Sequence, residues 1–209
     1  MLSLGKKSTK KKVYDLQKIK KQVKRKLSDH RFEHTLGVTY MAAALAMRYG
    51  ADLNQAMTAG LLHDCAKYMT TEELFKNCER YKIEVTNTEK LNPALLHAKV
   101  GAVLADKKYK VHDKEIISAI LHHTTGTPDM PLLDKIIFIA DYMEPHREPL
   151  PNLDEIRKQA FVDIDRTMVM ICKSTLEYLK SIQNEIDEST QKTYDYYVSK
   201  VTSESKEEE

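Results

Sequence analysis

Apolar residues recur at three- and four-residue intervals along most of the chain, and the two-residue alternation of a half-buried strand is nearly absent. Val13, Leu16, Ile19, Val23 and Leu27 predict a first amphipathic helix with a lysine-rich outer face. Ser28 and Asp29 offer caps for a second, in which Phe32, Leu36, Tyr40, Ala43, Ala44 and Met47 trace the expected buried stripe and Gly50 the stop. Asn54 opens a short alanine-rich helix that runs into His63-Asp64, and Thr70-Thr71-Glu72-Glu73 has the spacing of a capping box. Asn92-Pro93 puts a cap before a proline at the first helical position and launches the helix that carries His97. Asp113 caps a helix ending near His122-His123, stopped by residues 124–128. Residues 132–143 read as a buried helix with Asp141 near its C-terminal end. Beyond the proline-rich loop 144–151, helical patterns run from about 154 to 182 and from 188 to 201. The expectation is an all-α helical bundle forming one domain over residues 13–201, between a flexible basic leader (1–12) and an acidic disordered tail (202–209).

Composition narrows the function classes. A chain of 209 residues can bury one sizeable core. Six Gly, six Pro and no Trp argue against a turn-rich all-β sandwich. The net charge of +2 selects no partner, and the lysine-crowded segment 6–26 and the acidic end read as solvated. Nucleic acid is not expected as a partner, because no aromatic residues are interleaved among the leader's lysines to stack on bases. Three widely spaced cysteines, Cys65, Cys78 and Cys172, offer no thiolate zinc motif. No stretch approaches the ~18–20 apolar residues of a membrane span and no N-terminal apolar run resembles a signal peptide, so a cytoplasmic location is expected.

The chemistry concentrates in a few positions. His34, His63, His97 and His123 each sit in a distinctive local context, and Asp64 and Asp141 lie among apolar neighbours. A carboxylate in such surroundings is costly unless it is paired, hydrogen-bonded or bound to a metal. Taken singly, each histidine also fits a satisfied core position, and Asp141 fits an ion pair with Arg147 or Lys135. Taken together, His34, the adjacent His63-Asp64 and Asp141 form a mixed nitrogen–oxygen donor set, which suits Fe, Mn, Co or Zn better than Mg or Ca. Arg31, three residues before His34, shares nearly its helical face, and Lys67 follows Asp64 by the same interval. With Arg147, they read either as phosphate contacts or as ordinary surface ion pairs.

The order of these residues carries a resemblance. Arg31-Phe32-Glu33-His34-Thr35, Gly60-Leu61-Leu62-His63-Asp64-Cys65-Ala66-Lys67, Leu96-His97, His123-Thr124-Thr125-Gly126, Ala140-Asp141-Tyr142 and Glu144-Pro145-His146-Arg147 follow one another across residues 13–198. The series resembles the HD-domain superfamily of phosphohydrolases and, within it, the bacterial YqeK-type symmetrical diadenosine tetraphosphate hydrolases. That resemblance implies an HD-type bundle that cleaves diadenosine tetraphosphate into two ADP with a metal-activated water. It implies His34, His63, Asp64 and Asp141 as metal ligands. Iron is the usual metal, Mn, Co or Zn are the alternatives, and one or two ions are bound. His97 and His123 either complete a second metal site or contact substrate and move protons, working with Asp64 and Lys67. Arg31, Lys67 and Arg147 would hold phosphate, with Thr124 and Thr125 as further donors. His122 is outside the pattern. The competing readings are another HD-type nucleotide phosphohydrolase, such as an alarmone pyrophosphohydrolase or nucleotidase, and a non-catalytic nucleotide-binding module. A homodimer is left open.

Overall fold

The structure, a computed structural model, describes residues 12–207, so the leader up to residue 11 lies outside the described residues. Its elements are α1 (Leu16–Lys24), α2 (Asp29–Tyr49), α3 (Leu53–Leu62), α4 (Thr71–Tyr81), α5 (Asn87–Leu91), a single 3-10 turn (Pro93–Leu95), α6 (Leu96–Lys107), α7 (Lys114–His122), α8 (Leu132–Met143), α9 (Leu153–Gln159), α10 (Ile164–Ser181) and α11 (Glu188–Glu207). No strand occurs among the described residues.

Helix α8 is the spine. It buries Leu133 and the run Ile136-Ile137-Phe138-Ile139-Ala140, an all-round apolar surface that only a central position can satisfy. α2, α3, α7, α9 and α10 all pack against it, and α11 packs on α10. α2 and α3 cross closely. Ala42, Ala46, Ala56 and Ala59 are fully buried there, and a Cβ on Gly60 would lie 2.8 Å from the Thr39 Cα. That crossing brings the second turn of α2 beside the C-terminal end of α3.

Several boundaries follow the expected capping chemistry. Ser28 accepts from Arg31 N, Gly50 closes α2 with φ 71°, Thr70 and Glu73 complete a reciprocal capping box, and Asp113 accepts from Glu115 N and Ile116 N. Others differ for local reasons. Asp52 caps α3, and Asn54 instead exchanges hydrogen bonds with the Tyr14 backbone, fastening the entry to α1. Val13 lies outside α1 and is exposed. Asn92 makes no side-chain cap, and Pro93 starts the 3-10 turn ahead of α6. The pattern over 154–182 is broken by a second cap at Asp163, which accepts from Asp165 N and Arg166 N and separates α9 from α10. α11 continues to Glu207, so helix extends past the expected boundary at 201.

The stripe expected to be buried on α2 is corrected in part: Phe32 and Ala43 are buried, and Leu36 and Ala44 are half-buried. Tyr40 and Met47 are 58% and 69% exposed, and the helix buries Thr35, Val38, Thr39, Ala42, Leu45 and Ala46. Small side chains win that face because they permit the close approach to α3.

Candidate metal centre

Six functional side chains arrive from five helices. His34 stands in the second turn of α2, and His63 caps the C-terminus of α3 with Asp64 immediately after. His97 begins α6, His123 caps the C-terminus of α7, and Asp141 lies in the last turn of α8. The imidazoles form a chain of edge contacts, with centroid separations of 5.4 Å (His34–His63), 5.1 Å (His63–His123) and 5.0 Å (His97–His123).

Local backbone decides which ring nitrogen faces the centre. The Nδ1 of His63 lies 2.8 Å from Gly60 O, that of His123 lies 2.7 Å from Ile120 O, and that of His97 contacts Ala94 O, each three residues earlier. The last carbonyls of a helix lack intrahelical partners, so Gly60 and Ile120 supply ready acceptors, and Ala94 offers its carbonyl from the 3-10 turn before α6. A carbonyl only accepts, so each Nδ1 donates its proton and each neutral ring presents a bare Nε2. His34 Nδ1 meets a carboxylate instead, Glu144 Oε1 at 3.1 Å, which likewise accepts from the Nδ1–H and leaves Nε2 as the nitrogen turned to the centre.

The four Nε2 atoms therefore face carboxylate oxygens as acceptors facing acceptors. Asp141 Oδ1 is 3.0 Å from His34 Nε2 and 3.8 Å from His63 Nε2. Asp64 Oδ2 is 3.6 Å from His63 Nε2 and 3.9 Å from His34 Nε2, while its Oδ1 is 3.2 Å from His97 Nε2 and 3.7 Å from His123 Nε2. His97 and His123 present their Nε2 atoms to each other at 3.1 Å, with Thr124 Oγ1 3.3 and 3.1 Å away. The Nε2 atoms of His34 and His63 are buried and have no aligned hydrogen-bond partner. Donor atoms bound about 2.1 Å from one transition-metal ion stand roughly 3–4 Å apart, so the set fits a metal. Among the described residues, two groups offer ligand atoms within 4.8 Å of one another: His34, His63 and Asp141, and His63, Asp64 and His123.

The electrostatics agree with a cation-binding centre. Burial pushes His63 down to about 4 despite the neighbouring Asp64 and Asp141, so its lone pair is free at neutral pH. Burial likewise lowers His97. For Asp64 burial opposes charge, but His63, His123 and His97 prevail and hold it well below the usual carboxylate range. Asp141 is also lowered, chiefly through His34 against the cost of burial. His34 moves the other way: burial works downward, and Asp141 and Glu144 outweigh it, favouring the protonated ring, so a metal bound at its Nε2 would displace a proton.

Above the cluster opens a cavity of about 800 Å³. Lys67, Thr124 and Arg147 line it, with Lys67 Nζ 3.4 Å from His97 Nδ1 and Arg147 Nη1 3.9 Å from Asp141 Oδ1. Arg31 lines it too, but its Nη1 is paired with Asp64 Oδ2 at 3.0 Å, so it is shared between site and substrate space. Thr125 does not line the cavity; its carbonyl meets Thr193 of α11 at 3.4 Å. His122 is turned aside onto the fully buried Asp134, 2.7 Å from its Nδ1. Two features escaped the sequence reading. Glu144 is buried against His34, and α10 forms the far wall through Ile171, Ser174, Thr175 and Tyr178. The signal for the first was present, since a carboxylate directly follows an apolar helix. The wall had none, because α10 reads as an ordinary amphipathic helix.

Comparison with known proteins bears on this geometry. The HD domain model matches residues 31–145, which include all six clustered residues. A Bacillus subtilis protein named "Bis(5'-nucleosyl)-tetraphosphatase, symmetrical" is 40% identical over 85% of this chain and 94% of its own length. A Staphylococcus aureus protein of the same name is 34% identical over 82% and 88%. A crystal structure from Clostridium acetobutylicum, described as a "predicted HD superfamily hydrolase involved in NAD metabolism", superposes with a TM-score of 0.86 at 35% identity, covering 90% of this chain and 100% of its own. With the helical bundle, the matched segment and these relatives in agreement, the chain belongs to the HD domain family.

Proposed function

We propose that the protein hydrolyses diadenosine tetraphosphate at its central anhydride to give two ADP, using a divalent metal held by His34, His63, Asp64 and Asp141. The observation that carries this reading is the convergence of acceptor-only nitrogens and oxygens at the floor of a cavity rimmed by Arg31, Lys67 and Arg147. The names of the bacterial relatives supply the substrate. Iron is the proposed metal, and Mn, Co and Zn suit the same donors. When bound, the metal supplies Lewis acidity, acidifying water and offsetting charge on the phosphoryl group.

The chain's own groups divide the remaining work. Asp64 joins the two histidine pairs, one carboxylate oxygen towards His34 and His63 and the other towards His97 and His123. His97 and His123, with bare Nε2 atoms beside Thr124 Oγ1, take up a proton from the attacking water or return one to the leaving phosphate. Lys67, Arg147 and the exposed part of Arg31 hold phosphate oxygens, the two guanidinium groups as planar forks. Thr124 adds a hydroxyl. A nucleotide is the proposed partner and the cytoplasm the proposed location; no described helix is long and apolar enough to cross a membrane.

Product identification tests the reading. Protein loaded with Fe(II) or Mn(II) is expected to convert diadenosine tetraphosphate to ADP alone, resolved by anion-exchange chromatography. Asp64→Ala is expected to lose turnover and keep its helical circular dichroism. Release of AMP with ATP, or of pyrophosphate or orthophosphate, refutes symmetrical cleavage.

A further inference from the structure

His34 differs from the other three histidines in what orients it. His63, His97 and His123 each use a backbone carbonyl three residues away. His34 lies inside α2, and its Nδ1 turns away from the helix's own carbonyls. Its Nδ1 is served from 110 residues further along the chain by Glu144, the residue that ends α8 and is 1% exposed.

Glu144 is itself fully engaged. Oε1 meets His34 Nδ1 at 3.1 Å, and Oε2 accepts from His146 N at 2.7 Å. Its carbonyl accepts from Arg147 N at 3.0 Å and from Arg157 Nη2 at 2.9 Å. The carboxylate packs over Gly37, one turn along α2 from His34, where any Cβ would overlap Oε2. A Cβ at 37 would push the carboxylate off this place, so glycine keeps open the room in which Glu144 reaches His34. The same side chain touches a residue of the metal cluster and, through the turn 144–147, sets the backbone that presents Arg147 to the cavity.

We propose that Glu144 is a positioning residue that, through a space kept open by Gly37, fixes the ring of His34 and ties the Arg147 loop to the metal centre. The inference rests on the metal reading above. A carboxylate on the outer nitrogen of a ligating histidine orients the ring and strengthens it as a ligand, and loss of such a partner typically weakens metal binding about 10–100-fold. Glutamine at 144 is the sharp probe. It keeps the shape, but its amide has only one acceptor atom for two N–H donors, so one of His34 Nδ1 and His146 N is left facing an amide nitrogen.

Mn(II) titration followed by electron paramagnetic resonance reads the affinity without substrate or turnover. Native protein is expected to bind, and Glu144→Gln and Gly37→Ala each to bind at least tenfold more weakly. The double variant Gly37→Ala/Glu144→Ala is expected to be no weaker than Glu144→Ala alone, because the methyl then has no carboxylate to displace. Ile156→Val, which loosens the buried packing of α9, guards against a general stability effect and is expected to keep native affinity. If native protein binds Mn(II) and Glu144→Gln binds it equally well, the role of Glu144 is refuted and the metal centre stands. If Ile156→Val weakens binding as much as Glu144→Gln, the positioning role is likewise overturned. If native protein binds no Mn(II), the metal reading fails and takes this inference with it.

Discussion

Alanine at Gly60 asks whether the α2–α3 crossing sets the geometry of the metal centre. Its Cβ would stand 2.8 Å from the Thr39 Cα, and ordinary contact begins at 3.4 Å, so the helices must part by about 0.6 Å, the difference between the two. Backbone cannot swing aside as a flexible side chain does. Overpacking of this kind costs about 1–3 kcal/mol, and replacing glycine in a helix returns about 1 kcal/mol, leaving a net loss of up to about 2 kcal/mol. The larger effect falls on the site. His63 hangs from Gly60 through its Nδ1 hydrogen bond, while His34 rides on the opposing helix. A displacement of about 1 Å in a catalytic constellation costs about 100-fold in rate, so 0.6 Å corresponds to roughly tenfold in kcat. Gly101→Ala is the internal comparator, since its Cβ would meet its nearest neighbours at 3.5–3.7 Å. It is expected to raise the melting temperature and leave kcat unchanged. Thermal unfolding and steady-state kinetics on the metal-loaded variants measure both. A Gly60→Ala enzyme with native kcat and native melting temperature, or a Gly101→Ala enzyme equally impaired, would falsify the reasoning.

Arg147→Ala is expected to raise KM for diadenosine tetraphosphate roughly 10- to 100-fold, the worth of a charge-assisted hydrogen bond; an unchanged KM removes Arg147 from substrate binding. Mn(II) at about a hundred times its Kd is expected to stabilise the native state by about 2.7 kcal/mol, roughly 5–10 °C in melting temperature for a chain of this size, with chelator reversing the shift; a melting temperature indifferent to both contradicts a metal bound by the folded state. Asp165 gives a pH prediction away from the site. Burial works against its charge, but Lys135 at 2.7 Å and Lys200 at 2.8 Å prevail and lower its pKa. A lowered carboxylate pKa contributes stability above the ordinary carboxylate range and loses it as pH falls through the folded-state value. Asp165→Asn is therefore expected to destabilise the protein near neutrality and to flatten the acid side of its stability profile, as followed by urea unfolding between pH 2 and 7. An unchanged acid limb counts against the Lys135–Asp165–Lys200 cluster as the source.

The sequence was most legible where chemistry is local. Capping at Ser28, Thr70 and Asp113 depends on residues within three positions of each other, and α8 announced itself by its apolar run. The six clustered histidines and aspartates were readable because charged and imidazole groups among apolar neighbours demand an explanation. Legibility failed where the deciding partner is remote. On α2, Leu36, Tyr40 and Met47 have the stronger hydrophobic signal, but α3 approaches on the face of Thr39, Ala42 and Ala46, where small size outweighs hydrophobicity. Thr125 faces α11 and Thr124 faces the cavity, a choice made by the turn around Gly126 that composition does not specify. Glu144 stood in plain view after α8, but only the approach of α2 shows what it holds.

The two ways of orienting imidazoles also differ in how much of the fold each one needs. Three rings take their tautomer from carbonyls three residues away, so the final turns of α3 and α7 and the 3-10 turn before α6 equip those histidines when they form. The fourth ring waits for residues 34 and 144 to meet, a loop closure over 110 positions that only the docking of α8 against α2 achieves. A partly folded chain thus holds three dispersed, individually competent imidazoles, and the complete donor set appears only once the spine is seated. Metal capture at full affinity is in this sense a report on whether α8 is docked against α2.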